Sequence, residues 1–212
     1  MTKLPRPPDA DTLRARAPLD RALRSVGSRV VLWRIHDTIG QHVLAWNQLR
    51  RYGPAGGRFD PQPLPPGSES GLGVLYLAAE RVDVALAEAF QRTRRVDVTA
   101  GGPWLTGLRL TRTVRLLDLA GGWPTRAGAS QALCSGPRPR AQAWARAITQ
   151  AWPELDGVWY PSSMLGGGHC VSLWSPAADA LPPTPMLSVP LSHPALWGPL
   201  ALICERIGYR LG

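Results

Sequence analysis

The sequence predicts an α+β domain, and three observations carry that class. Short apolar or β-branched runs that read as strands outnumber the helical stretches. They do not alternate regularly with helices, as a doubly wound sheet requires. The 22 glycines and 22 prolines of the 212-residue chain call for abundant turns. The expected organisation is an N-terminal arm over residues 1–27 followed by one domain over residues 28–212, without internal repeats.

Taken in order, residues 1–27 are polar and Pro-rich at first, then weakly helical. The run Val30–Ile35 reads as a buried strand. Residues 38–71 are irregular and end in the segment Gly53–Gly57 and a Pro-rich loop between Pro61 and Gly67. A loop of that length is either mobile or functional. Gly73–Ala78 reads as a second buried strand. Val82, Ala85, Leu86, Ala89 and Phe90 then follow the i, i+3, i+4, i+7, i+8 spacing of one helix face. Trp104–Leu110 and Thr113–Leu119 resemble two strands. A second helix starts near Pro139, places Ala141, Trp144, Ala145, Ile148 and Trp152 on one stripe, and stops at Pro153. Gly157–Tyr160 and His169–Trp174 are short strands flanking a Ser/Gly turn. The tail from Leu181 is Pro-rich, with one more short helix.

Composition narrows the chemistry. Hydrophobic residues make up 44% and charged ones 18%, the balance of a globular chain. Lys3 is the only lysine among 24 basic residues. That excludes a Schiff base to a buried lysine and a P-loop lysine on a nucleotide phosphate. What remains is arginine, whose planar fork holds phosphates and carboxylates by two bonds. Cys134, Cys170 and Cys204 are odd in number and form no CxxC pair, which points to a reducing compartment rather than a disulfide framework. His36, His42, His169 and His193 show no zinc-site spacing with them. His169 and Cys170 are adjacent, so on a strand they point to opposite faces; no metal is expected. The Pro-rich, charged N-terminus lacks a signal-peptide core, and the apolar stretch near Ala195 to Cys204 is broken by Pro199. A soluble cytoplasmic protein is expected.

The formal net charge of +9 suits nucleic acid, an anionic small molecule or an acidic partner alike. Arg92, Arg94 and Arg95 form one dense basic group; the other basic residues are scattered, as on a solvated surface. Two arginines stand apart. Arg34 lies inside an apolar strand, where an unpaired charge is costly, so it needs an anionic partner. Arg58 follows two glycines that would present its fork from a tight turn. Glu88 lies about 200° around the helical wheel from Leu86 and four residues before Arg92. By spacing alone it is a solvated carboxylate in a surface ion pair. Ser162 and Ser163 follow Tyr160-Pro161 at a strand end, and by themselves read as turn hydroxyls. Gly56-Gly57 and Gly166-Gly167-Gly168 fit neither GxGxxG nor a Walker pattern and read as flexible turns.

Together these pieces resemble the RES domain, named for its Arg, Glu and Ser. The match is carried by Leu32-Trp33-Arg34-Ile35, by Gly56-Gly57-Arg58-Phe59-Asp60-Pro61, by Leu75-Tyr76-Leu77-Ala78 with Ala85-Leu86-Ala87-Glu88, and by Asp156-Gly157-Val158-Trp159-Tyr160-Pro161-Ser162. The strand Leu117-Asp118-Leu119 also suits it. The likeness runs from about residue 30 to 175. It implies a mixed, split β-sheet similar to the ADP-ribosyltransferase fold in a RES-like catalytic domain over residues 28–212. It also implies a bacterial toxin that cleaves the nicotinamide–ribose bond of NAD+ by hydrolysis or phosphorolysis. NAD+ is then a substrate, and no cofactor is required. The implied partner is an antitoxin with an Xre-type helix-turn-helix domain that blocks the site, without direct nucleic-acid binding or membrane association. Residue by residue, the resemblance places Glu88, Arg34 and Ser162 in catalysis and Arg34, Arg58, Tyr76 and Ser162 in binding. The long Pro-rich loop between Asp60 and Gly73 departs from the family, and Ser163 duplicates the serine.

These residue types suit that reaction. Cleavage passes through an oxocarbenium-like ribose that Glu88 would stabilise. Arg34 and Arg58 would grip the pyrophosphate. Tyr76 would pack its ring on nicotinamide or ribose while its hydroxyl bonds a polar edge, and Ser162 would bond a ribose hydroxyl or the carboxamide. Nicotinamide leaves as a neutral group, so no general acid is demanded. Two other readings remain: transfer of ADP-ribose to a protein or small-molecule acceptor, and a basic, non-enzymatic nucleic-acid-binding module resting on the charge and on Arg92–Arg95.

Overall fold

A computed structural model describes residues 4–212, so the lone Lys3 lies outside the described residues. In chain order the elements are α1 (Ala10–Arg16), β1 (Leu23–Val26), β2 (Leu32–Asp37), β3 (Arg50–Gly53), β4 (Ser68–Ala79), α2 (Val82–Ala89), β5 (Arg95–Val96), β6 (Pro103–Leu108), β7 (Val114–Asp118), α3 (Trp123–Arg126), α4 (Ala132–Ser135), α5 (Arg138–Ala151), β8 (Gly157–Pro161), β9 (His169–Trp174), β10 (Leu187–Pro190), α6 (Trp197–Ile207) and β11 (Arg210–Leu211). This is an α+β chain built on one large sheet. Its strand order is β1-β7-β8-β9-β4-β2-β6-β10, with β3 also paired to β4. The sheet is mixed, because β7 and β8 run parallel while the other neighbours are antiparallel. A short parallel pair, β5 with β11, stands beside it.

Alternation along the central strands explains the layering. On β4, Val74, Tyr76 and Ala78 face one core while Leu75, Leu77 and Ala79 face another. The first core holds the Trp123 ring edge-on to both Trp144 and Trp152. The Trp123 indole donates to the Ala17 carbonyl at 2.8 Å, so this large buried side chain also satisfies its polar atom. A third cluster joins α2 and α6 through Leu86, Ala87, Leu200 and Cys204.

The segment expected as an arm is built into this body from Leu4 onward. Asp9 caps α1 through the Thr12 amide, Leu13 and Ala17 are buried, and β1 pairs with β7 from Leu23 opposite Leu117. The strands read at Val30–Ile35, Gly73–Ala78, Trp104–Leu110, Thr113–Leu119, Gly157–Tyr160 and His169–Trp174 correspond to β2, β4, β6, β7, β8 and β9, and both helical stripes correspond to α2 and α5. Residues 38–71 hold more structure than expected. β3 lies there, and β4 begins at Ser68. Strand β3 reads Arg-Arg-Tyr-Gly and pairs on one side alone, so its side chains lack the apolar alternation that marks a buried strand. Among the described residues no helix is long and apolar enough to cross a membrane.

Candidate active site

The centre of the sheet, from β8 through β9 and β4 to β2, floors a cavity of about 200 Å³. Its walls are α2, the loop at Gly56–Arg58 and the start of α5. Four sequence-expected residues line it: Arg34, Arg58, Tyr76 and Glu88. Ser163 lines it as well, while the expected Ser162 sits one layer back.

Glu88 reaches the cavity because α2 has almost no solvated side. Asp83 through Ala87 are buried without a break, between the sheet core and α6. The wheel direction opposite Leu86 therefore opens onto the pocket and not onto water. The surface ion pair with Arg92 is accordingly corrected: Glu88 Oε1 accepts from the Ser162 hydroxyl at 2.6 Å and the Ser163 amide at 3.0 Å.

Ser162 earns its position from a turn. Its oxygen accepts the amides of Met164 and Leu165, each at 3.1 Å, while its hydrogen goes to Glu88. The amide of Ser162 bonds the Gly168 carbonyl at 2.9 Å, closing the β8–β9 hairpin. Gly168 is the reason this turn can rest on α2, because a Cβ there would lie 2.4 Å from Val84 Cγ2. Within the Gly166–Gly168 run, Gly168 is thus the packing feature of the turn that carries both serines to Glu88.

Arg34 departs from the sequence expectation. Its anionic partner is absent among the described residues; Nη1 instead donates to the carbonyls of Ala45 at 3.0 Å and Trp46 at 2.6 Å. Burial lowers its guanidinium pKa to about 10. Arg34 and Ile35 also line a neighbouring cavity with His36 and Asp37, so Arg34 stands between two openings.

Asp60 organises the opposite wall, a role that sequence reasoning left unassigned. It is fully buried, paired with Arg50 at 2.6 Å, and accepts from the Tyr76 hydroxyl at 2.7 Å and the Ala55 amide at 2.7 Å. The Tyr76 oxygen in turn accepts the Phe59 amide at 2.9 Å. Both bonding directions of that hydroxyl are therefore used, and Tyr76 offers its ring to the pocket. Burial and the Asp60 charge push its phenol well above the ordinary tyrosine range. Gly57 permits this wall: a Cβ there would lie 2.3 Å from both Asp60 Oδ1 and Tyr76 Oη. Only glycine fits, which explains the second glycine of the Gly-Gly-Arg segment.

Arg58 donates from Nη1 to the Gly136 carbonyl at 2.5 Å. Its guanidinium is held below the ordinary arginine range, by burial first and then by the Arg138 charge. Arg138, Gln91, Tyr160 and Cys170 also line the cavity, and none of the four is a site residue expected from the sequence. Burial raises the Tyr160 phenol and the Cys170 thiol well above their usual values, so both are neutral walls near neutral pH. No local pattern distinguishes these positions from ordinary core or helix-start residues. The wall thus carries three guanidiniums and, among the described residues, one carboxylate, Glu88. No group of three or more His, Cys, Asp or Glu among the described residues is placed to hold a metal.

Comparison with known proteins fits this layout. No curated protein matches the chain in sequence. Among solved structures, a chain from the crystal structure of the M. tuberculosis MbcT–MbcA toxin–antitoxin complex superimposes with a TM-score of 0.59 at 18% identity, covering 91% of this chain and 96% of that one. The RES domain family profile matches residues 31–192, which include every expected site residue. The chain belongs to the RES domain family.

Proposed function

We propose that this protein is the toxin of a toxin–antitoxin pair and cleaves the nicotinamide–ribose bond of NAD+. The observation that carries this reading is one carboxylate, Glu88, held by serine donors in a pocket whose other charged lining residues, among those described, are Arg34, Arg58 and Arg138. Such a site suits a substrate that is anionic at one end and develops positive charge at the other. The cavity of about 200 Å³ would enclose the nicotinamide end. Arg34 also borders an adjoining space of about 340 Å³, which would accommodate a further part of a dinucleotide.

In this mechanism the C1′–N bond breaks and its electron pair leaves with nicotinamide, cancelling the ring's positive charge. Charge develops on C1′ and O4′ of the ribose. Glu88 stabilises it or holds a ribose hydroxyl; Tyr76 supplies an aromatic wall, while Arg34 and Arg58 hold the phosphates. Ser162 keeps Glu88 in place, and Ser163 is the serine that faces substrate. Water, which loses a proton to solvent as it adds, or phosphate then bonds to C1′, and no cofactor takes part. The structural likeness to a chain of a toxin–antitoxin complex supports a protein partner; an Xre-type antitoxin that covers the pocket is the proposed class.

The test is product analysis after incubating purified protein with NAD+, with and without phosphate. Nicotinamide plus ADP-ribose indicates hydrolysis, and nicotinamide plus a phosphorylated ADP-ribose indicates phosphorolysis. A mass adduct on an acceptor shifts the reading to ADP-ribosyl transfer. Absence of nicotinamide at high enzyme concentration overturns it.

A further inference from the structure

Arg138 enters the pocket from α5, an element that contributes none of the residues expected from the sequence. Its Nη2 donates to Gln91 Oε1 at 2.7 Å, and Gln91 Nε2 donates to the Glu88 main-chain carbonyl at 2.7 Å. This relay ties the guanidinium to the C-terminal end of α2. Arg58 is held nearby through the carbonyl of Gly136, two residues before Arg138. Arg58 and Arg138 both line the cavity, and burial first, then the Arg138 charge, lowers the Arg58 pKa, a pull that Glu88 opposes more weakly.

Neither arginine has a carboxylate within ion-pair distance among the described residues. Their bonds go to neutral oxygens. Two like charges on the wall of one cavity repel one another, and the arrangement gains when an anion of high charge sits between them. A phosphoryl group matches, because its tetrahedral oxygens accept from both planar forks at once.

We propose that Arg58 and Arg138 form a two-pronged site for a phosphoryl group, with Gln91 as the residue that positions Arg138. The assignment of that group rests on the NAD+ reading, under which it is either the pyrophosphate of the dinucleotide or a free phosphate that attacks C1′. The binding site itself does not depend on turnover.

Inorganic phosphate is titrated into the full-length protein at low ionic strength by calorimetry. Wild type is expected to bind saturably. Loss of one charge-assisted contact predicts binding about tenfold weaker or more in Arg138→Gln. Gln91→Ala keeps the charge but frees the side chain, and is expected to fall between. The exposed Arg92→Gln removes the same charge elsewhere and is expected to bind as wild type. An Arg138→Gln protein that is folded by its melting curve and binds phosphate like wild type overturns the site. So does a wild type without saturable binding. Should Arg138→Gln not fold, Gln91→Ala decides: unchanged affinity in that variant overturns the positioning role and the site with it.

Kinetics separates the two sources. A raised KM for phosphate at fixed NAD+ in Arg138→Gln identifies the free ion, and a raised KM for NAD+ identifies the substrate's own pyrophosphate. Wild type that binds phosphate yet releases no nicotinamide overturns the NAD+ reading and leaves the phosphoryl site standing.

Discussion

The Ser162 hydroxyl donates to Glu88 Oε1 at 2.6 Å while accepting two amides of its own turn. A hydroxyl with both roles filled cannot also serve the substrate, so Ser162 fixes the direction in which Glu88 presents its charge. Ser162→Ala is expected to lower kcat about tenfold, because a hydrogen bond to a charged group carries about 1.5–3 kcal/mol. KM for NAD+ should stay within a fewfold. A large rise in KM with kcat unchanged would instead make Ser162 a substrate contact.

Gly57→Ala tests the opposite wall. Its Cβ would meet Asp60 Oδ1 and Tyr76 Oη at 2.3 Å, and both atoms are held in bonds that cannot shift together cheaply. Overpacking of this kind costs about 1–3 kcal/mol. A lowered melting temperature with most of the activity lost is expected. A variant as stable and active as wild type would show that the loop relaxes freely.

Tyr76→Phe separates ring from hydroxyl. It removes the donor to Asp60 and leaves the Phe59 amide without its acceptor, a loss of about 1–3 kcal/mol. Activity measured below the melting range should fall only severalfold, because the ring is the part that faces the cavity.

His36 gives the pH prediction. Burial first, and the nearby Arg34 second, lower its pKa to about 4 from an ordinary 6.5. The folded protein keeps His36 neutral where the unfolded chain already binds a proton, so stability is full above pH 6.5 and is lost progressively as pH falls toward 4. Thermal melts across that range should decline, and His36→Gln should flatten the decline. Its ring nitrogen bonds Thr106 Oγ1 at 3.0 Å, a contact glutamine can retain. An unchanged slope in the variant would assign the acid sensitivity to other groups.

Much of the scaffold was legible because local periodicity is strong where burial is one-sided. The stripe through Ala141, Trp144, Ala145 and Ile148 gave α5, and the apolar runs gave the central strands. The site was less legible. Glu88 read as solvated because a helical wheel shows which direction is polar, not whether that direction meets water or a cavity. Arg34 was expected to meet an anion, but backbone carbonyls can hold a guanidinium, and carbonyls leave no mark in sequence. Asp60 stands in a quoted motif, yet its threefold role depends on Arg50, Ala55 and Tyr76 converging on it. Arg138 sits 62 residues or more from Arg34, Arg58 and Tyr76, and the tertiary fold alone brings it to them.

The central claim is that Glu88 stabilises charge on the ribose as the nicotinamide bond breaks, and nicotinamide release by wild type and Glu88→Gln tests it most directly. Glutamine keeps the shape and can still accept from Ser162 and Ser163, so the fold should hold while the rate falls about 100-fold or more. Equal rates in the two proteins, or a wild type that releases none, would contradict the account.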